Sequence, residues 1–428
     1  MDTREQALLG AVESLQEQQV EWTRELVAIP TVNPYSGDDS AGSEAAGQDW
    51  VEERLRGMGA EVRRIGVPED VYARGGIIGP AGRSWEGREN VVGEWKLGSG
   101  EGVCILINDH MDTVGTAGMK FDPFDPVIED GCMFGRGTSD TKGNLVMGLM
   151  AVRALLQNVE ELNGRVIFES VVDEECNGAG AGSLACCLAG VTGDFALCLD
   201  GDRTQVDNGC NGVVTARVLV HGQAGHGSGR GAVSGLDKGI EVKQAIDLFA
   251  ADHAEVFPQC PVNIGVFRAG TLPAIVPGEA ELQINLNYDV QDADLAEQQE
   301  GHWDGRIFRG RFERAMADLG KGDEWFAKRP VEVSWIKDMY PFWCDPKDEY
   351  IRTAVKAMAE VRGGAVEAKP LMAWFDAAHL ARQLEIPAIG LGFGTPGTAH
   401  GSGEYVVLED LFVGARTLAL TLHRLLSR

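Results

Sequence analysis

Four short runs of nearly unbroken apolar residues constrain this chain most: Val103–Asn108 (VCILIN), Arg165–Val172 (RVIFESVV), Phe195–Leu199 (FALCL) and Ile386–Phe393 (IPAIGLGF). A half-exposed strand alternates polar and apolar residues, whereas a run apolar at nearly every position suits a strand covered on both faces. Helical patterns lie between and after these runs, at residues 143–157 and 408–426. Buried strands separated by helices imply an α/β sheet with covered faces. Upstream, residues 4–28 read as an amphipathic helix stopped by Pro30 and Pro34, and residues 41–59 as a second one. Two short strands follow, Ala60–Ile65 and Asn90–Trp95, separated by a Gly-rich loop over 71–89. A loop of that length is more often functional or mobile than structural.

The stretch 213–292 has a different rhythm. VVTARVLVHG, VNIGVF (Val262–Phe267) and ELQINLNYDV (Glu281–Val290) alternate with period two, and a helix over Gly235–Ala251 lies among them. Alternation predicts an antiparallel sheet with one solvated face. The chain therefore reads as a catalytic domain over 1–212 and 328–428 with an inserted α+β domain over 213–327. Two domains agree with a length of 428 residues.

A net charge of −27 repels phosphate backbones, so no nucleic-acid partner is expected. No run of about 18 apolar residues predicts a membrane span, and the charged N-terminus lacks the basic and apolar regions of a secretory signal. The nine cysteines form no C-x-x-C pair. They read as reduced, mostly buried thiols of a cytoplasmic protein.

What ends the apolar runs carries the chemistry. NDHMDTV places His110 and Asp112 at the close of the first run, at the sheet edge where α/β proteins bind ligands. In an extended H-x-D both side chains face one way, so His110 can ligate a metal while Asp112 holds its other ring nitrogen. The alternative is a surface hydrogen-bonded pair. GRGTSDTKGN places Asp140 just before a helix, as a cap or as a bridging carboxylate. VVDEECNG ends the second run with Asp173, Glu174 and Glu175. Three adjacent carboxylates form either a solvated acidic turn or a site that cations neutralise. In a metal site one Glu ligates and its neighbour is the base that deprotonates water. Asp200 ends the third run, and His400 follows the fourth through a Gly/Pro loop. Each has an ordinary explanation alone. Jointly they form a set of two histidines and three carboxylates suited to one or two divalent ions, Zn, Mn or Co. His226, in HGQAGHGS of the inserted domain, is either a loop histidine with a local partner or a donor to a developing oxyanion.

This pattern resembles the co-catalytic zinc metallopeptidase and amidohydrolase family of aminoacylase, acetylornithine deacetylase, succinyl-diaminopimelate desuccinylase and glutamate carboxypeptidase. The resemblance runs from LVAIPTVNP near residue 26 to AHGSGEYVVLEDL near residue 399. It implies that His110 and Asp200 hold one metal, Glu175 and His400 the other, and Asp140 bridges. It also implies Asp112 as orienter of His110, Glu174 as general base, and the inserted domain as a lid that makes a homodimer or higher homo-oligomer. His226 matches a lid histidine that reaches a neighbouring subunit's active site.

The expected reaction is cleavage of a C–N bond in a small-molecule substrate by Glu-assisted attack of metal-activated water. The bond is expected to be the amide of an N-acyl amino acid or a small peptide-like compound. Family members acting on N-acyl amino acids place an Asn before the lid's V-P pair and an Arg after it. Aligned on Val276–Pro277, this chain has Ala274 and Asn287 there. Arg230, Arg268 and Arg306 are nearby substitutes. Asp376 in MAWFDAAHL matches a late family Asp, with bulky Trp374 and Phe375 before it. These two are either core or the walls of a flat pocket. With Asn287 they are the expected substrate-binding residues. The departures fit a second reading, the family's 5-nitroanthranilate aminohydrolase branch, in which water displaces the amino group of an activated aromatic ring. A metal-binding protein without catalysis is a third, against which the retained Glu174 speaks.

Overall fold

The computed structural model describes residues 1–427. The apolar runs form the middle of a nine-stranded mixed sheet. Its order is Glu61–Gly66, Glu89–Leu97, Gly164–Val171, Val103–His110, Phe195–Cys198, Ala388–Gly390, Val206–Cys210 and Phe342–Trp343, with Ala368–Leu371 beside Val206–Cys210. The four expected strands are neighbours and run parallel to one another. Residues 104–107 are at most 2% exposed, as a strand covered on both faces requires. The helices Lys142–Leu156 and Leu408–Leu426 pack together and supply much of the apolar cover of one face, with Ile105, Ile107, Phe168 and Leu197 from the sheet. The other face is closed by a smaller core that includes Leu106, Ile167, Ala196 and Phe375.

Parallel register decides where the chemistry goes. His110 lies opposite Val171, and Asn108 opposite Cys198. The carboxyl ends of three adjacent strands therefore arrive together, and the residues that follow them meet at one edge.

The second sheet has four antiparallel strands in the order Val262–Ala269, Glu279–Tyr288, Gly212–His221 and Glu332–Met339. Glu279–Tyr288 buries every second residue, as the alternation predicts. Against its inner face lie helices Gly235–Val256 and Arg306–Gly322, which contribute Val242, Ile246, Phe308 and Phe312 to a separate core. The segment after 328, expected to return to the main sheet, does not do so at once. Its strand Glu332–Met339 pairs antiparallel with Gly212–His221, so the small sheet reaches past the expected boundary to Met339. The cause lies in the strand itself: EVSW alternates in burial like the residues it faces.

Other elements differ from expectation locally. The N-terminal helix is two, Thr3–Ser14 and Gln16–Val27, broken at Leu15, which is 8% exposed. The fourth run is regular only over Ala388–Gly390. The loop at 71–89 is tied down: it holds a short helix, Val71–Arg74, Trp85 packs edge-on against Tyr72, and Arg83 and Arg88 pair with Asp173. No helix among the described residues is long and apolar enough to cross a membrane.

Candidate metal centre and cavity

At the sheet edge the expected residues converge. His110 Nε2 lies 3.2 Å from Asp140 Oδ1. His400 Nε2 lies 3.1 Å from the other Asp140 oxygen and 3.1 Å from Glu175. Two groups of donor atoms result, His110–Asp140–Asp200 and Asp140–Glu175–His400, each with its atoms within 4.8 Å of one another. Asp140 belongs to both. A divalent ion about 2.1 Å from each of several tetrahedral ligands sets those ligands about 3.4 Å apart. The spacing and the mixture of imidazole and carboxylate donors fit such an ion in each group.

The electrostatics are those of a crowded acidic site. Burial opposes charge on His110, but its bond to Asp140 and the carboxylates of Glu174, Asp140 and Asp112 outweigh it and raise the ring well above its usual range. Hydrogen bonds to Asp140 and Glu175 push His400 up to about 11. Burial, then the Asp140 charge, push Glu175 up to about 7 and Asp200 up to about 6. Asp140 is depressed despite its burial, because both histidines bond to it.

The supports of the cluster are mostly backbone contacts. His110 Nδ1 is 2.8 Å from the Asp112 carbonyl oxygen, whereas the Asp112 carboxylate is 3.8 Å away. The expected carboxylate–histidine pair is thus replaced by a carbonyl. The carboxylate instead accepts from the backbone N–H groups of Glu174 and Glu175, at 3.2 and 3.0 Å, and from Asn33 Nδ2 at 2.7 Å. One aspartate therefore fixes the strand end that carries both glutamates. Among the described residues seven non-glycine residues have positive φ, and Asp173, Cys176, Asn177 and His400 are four of them. Left-handed backbone at such residues costs roughly 1–3 kcal/mol each and gathers where a site demands it.

Glu404 carried no sequence expectation. Wholly buried, it accepts from Arg136 Nη1 at 2.6 Å and from the backbone N–H groups of Gly137, Ser139 and Asp140 at 3.0–3.1 Å. It pins the loop that presents Asp140, and its only signal was its place four residues after His400.

Glu174 is partly buried. Burial first, against the pull of His110, and then the charges of Glu175 and Asp200 raise its carboxyl well above the ordinary range. It lines a cavity of about 710 Å³ together with Glu175, Cys176, Asn177 and His400. The opposite wall comes from the small sheet, with Asn285, Asn287, Lys337 and Met339, and from Leu371, Met372 and Trp374.

The remaining expected residues fall in different places. Asn287 lines the cavity, but its amide donates to Pro261 O at 3.1 Å. Trp374 lines it too, with its indole N–H on Tyr340 O at 3.1 Å. Phe375 does not: it is 1% exposed and packs on Phe342 in the core. It belongs instead to the core beneath the sheet, with Ala377 and Leu380 of the following helix Ala377–Gln383. Asp376 is buried beside it and accepts from Ser183 Oγ at 2.7 Å. His226 is exposed on the two-residue strand Gly225–His226, accepts from Ser228 N at 3.1 Å, and does not line the cavity.

Known proteins share both the sequence pattern and the fold. Residues 106–424 match the model of peptidase family M20/M25/M40. The N-formyl-4-amino-5-aminomethyl-2-methylpyrimidine deformylase of Halalkalibacterium halodurans is 24% identical over 96% of this chain and 95% of its own length. The succinyl-diaminopimelate desuccinylase of Buchnera aphidicola is 25% identical over 63% of this chain and 67% of its own. Human carnosine dipeptidase 1 has the same fold, with a TM-score of 0.72 at 14% identity over 99% of this chain and 100% of its own.

Proposed function

This chain belongs to peptidase family M20/M25/M40, and from that premise we propose that it hydrolyses the amide of an N-acyl amino acid or small peptide-like substrate. The coarser statement is plain: it is a metal-dependent hydrolase acting on C–N bonds of amide or peptide type. The observation that carries the finer reading is the placement of Glu174 at the cavity wall beside two donor groups joined through Asp140.

His110 and Asp200 would hold one divalent ion and Glu175 and His400 the other, with Asp140 a member of both donor groups. Zinc, manganese or cobalt suits these donors. Bound there, such an ion polarises the substrate carbonyl and makes water more acidic. Glu174 takes a proton from the attacking water as the new C–O bond forms. It then delivers that proton to the leaving nitrogen as the C–N bond breaks, giving a carboxylic acid and an amine. The Asp112 carboxylate keeps Glu174 at its position through the backbone.

The small sheet and its helices are the lid. Val262–Ala269 is its free edge, and Leu248, Val256, Phe267, Leu272 and Ile275 are exposed on the same unit. An open edge with apolar neighbours supports pairing with a second copy of this chain. In such a homodimer the exposed His226 reaches the partner subunit's site and steadies the developing oxyanion.

A second reading, an aminohydrolase acting on an activated aromatic amine such as 5-nitroanthranilate, draws on Trp374 at the cavity wall and on the lack of arginine among the cavity residues. Turnover of the metal-reconstituted protein separates the two. Amine release from N-acyl amino acids supports the first. Ammonia release from an arylamine, with acyl amino acids untouched, rejects it.

A further inference from the structure

Lys337 is the cation of the cavity. It is 8% exposed, lies on Glu332–Met339, and lines the cavity with Glu174. Its Nζ donates to Gly178 O at 3.1 Å. An ammonium has three N–H donors, and Lys337 enters no ion pair among the described residues. Burying an ammonium is costly; the charges of Glu174, Asp173 and Glu175 favour it only from beyond ion-pair distance, and two of its N–H donors lack a partner among the described residues.

The strand is built to deliver it. Burial along Glu332–Met339 alternates up to Trp335 and then breaks. The break coincides with a bulge between Trp335 and Lys337 in the pairing with Gly212–His221. A bulge inserts one residue and re-aims the side chains beyond it. After it, Lys337 stands opposite Thr215, which stands opposite Asn285. On the next rung of the same face Met339 stands opposite Val213, and Val213 opposite Asn287. Lys337, Asn285, Met339, Val213 and Asn287 all line the cavity. The wall is therefore two rungs of one sheet, with the ammonium on one end and two carboxamides on the other.

We propose that Lys337 is the specificity-determining anchor of the site, binding a carboxylate on the amine side of the scissile amide, with the Asn285 and Asn287 carboxamides flanking the bound group. This rests on the amide-hydrolase reading above and deepens it. It assigns the substrate class as an N-acyl amino acid with a free carboxylate, or a peptide with a free C-terminus. The charge expected on the Asn287 strand is supplied from two strands away.

The test is binding as well as turnover. Metal-reconstituted protein is titrated calorimetrically with N-formyl and N-acetyl amino acids, each paired with its neutral carboxamide. A charge-assisted contact predicts roughly 10- to 100-fold tighter binding of the acids. Lys337→Met removes that difference and leaves the affinity for the carboxamides intact. Lys337→Arg keeps most of it. Where turnover is measured, Lys337→Met raises KM for the acids far more than KM for the carboxamides. Wild-type protein that binds no acid better than its carboxamide overturns the anchor. So does an equal loss on both members of each pair, which assigns Lys337 to Glu174 instead. Preferential binding of the acids without hydrolysis of any supports the anchor while counting against the amide-hydrolase reading.

Discussion

The two walls of the cavity are made differently. One wall is the carboxyl edge of a parallel sheet, where Glu174 and Glu175 follow the strand Gly164–Val171 and stand with His400 beside the donor groups that His110 and Asp200 complete. Glu174 and Glu175 are fixed through their backbone by Asp112, and the loop of Asp140 by Glu404. The other wall is a face of an antiparallel sheet, where Asn285, Asn287 and Lys337 are aligned by cross-strand register and one bulge. The difference teaches that reaction and selectivity have separate structural origins here. The first wall can be rebuilt only at the expense of the metal centre, whereas the second changes its chemistry when one strand slips by a residue.

The largest effect expected on the first wall is that of metal removal. Dialysis against a chelator takes hydrolysis to background, and added Zn²⁺, Mn²⁺ or Co²⁺ restores it, followed by turnover against bound metal. Full activity in metal-free protein breaks the division of labour. Next is Glu174→Gln, which keeps the shape and removes the proton acceptor. A general base contributes roughly 10²- to 10⁴-fold, so kcat falls by about that factor, with metal content and the circular dichroism spectrum unchanged. A loss of metal in this variant makes Glu174 a ligand instead.

Glu404→Ala probes the support of the same wall. It leaves buried Arg136 without its carboxylate, and breaking such a pair costs about 3–5 kcal/mol, read as a lowered denaturant midpoint. A shift below about 1 kcal/mol removes Glu404 from the structural role assigned to it. The smallest effects belong to the second wall and the lid. Trp374→Ala raises KM several-fold with little change in kcat. His226→Ala leaves stability within about 0.5 kcal/mol, as for an exposed residue, yet lowers kcat in the dimer. A drop in kcat that is equally large in a monomeric lid variant places His226 outside a partner's site.

The sheet and the first wall were readable because both follow from local rules. A run such as VCILIN can only be covered on two faces, and the residue ending it can only emerge at the strand's end. His110, Asp140, Glu175, Asp200 and His400 were each unremarkable alone and meet in space as the alternating elements require. The second wall resisted for a physical reason. Lys337 becomes a cavity residue through a bulge and through pairing with a strand about 120 residues earlier in the chain, and neither is encoded near it. The same non-local pairing hid the assignment of Glu332–Met339 to the small sheet. Phe375 and Trp374 are adjacent and aromatic, and only the packing around them decides which faces the cavity. Asp112 stands beside His110, but which of its oxygens faces the ring depends on the backbone of 173–175.

The free edge Val262–Ala269 bears on how the protein behaves in a tube. Its outward backbone groups can template any strand that approaches, and the charge of −27 opposes the approach of another copy. Mild acidification that neutralises carboxylates removes that repulsion while leaving the edge intact. Turbidity should then rise before secondary structure is lost, and a lysine placed outward on this strand should delay its onset.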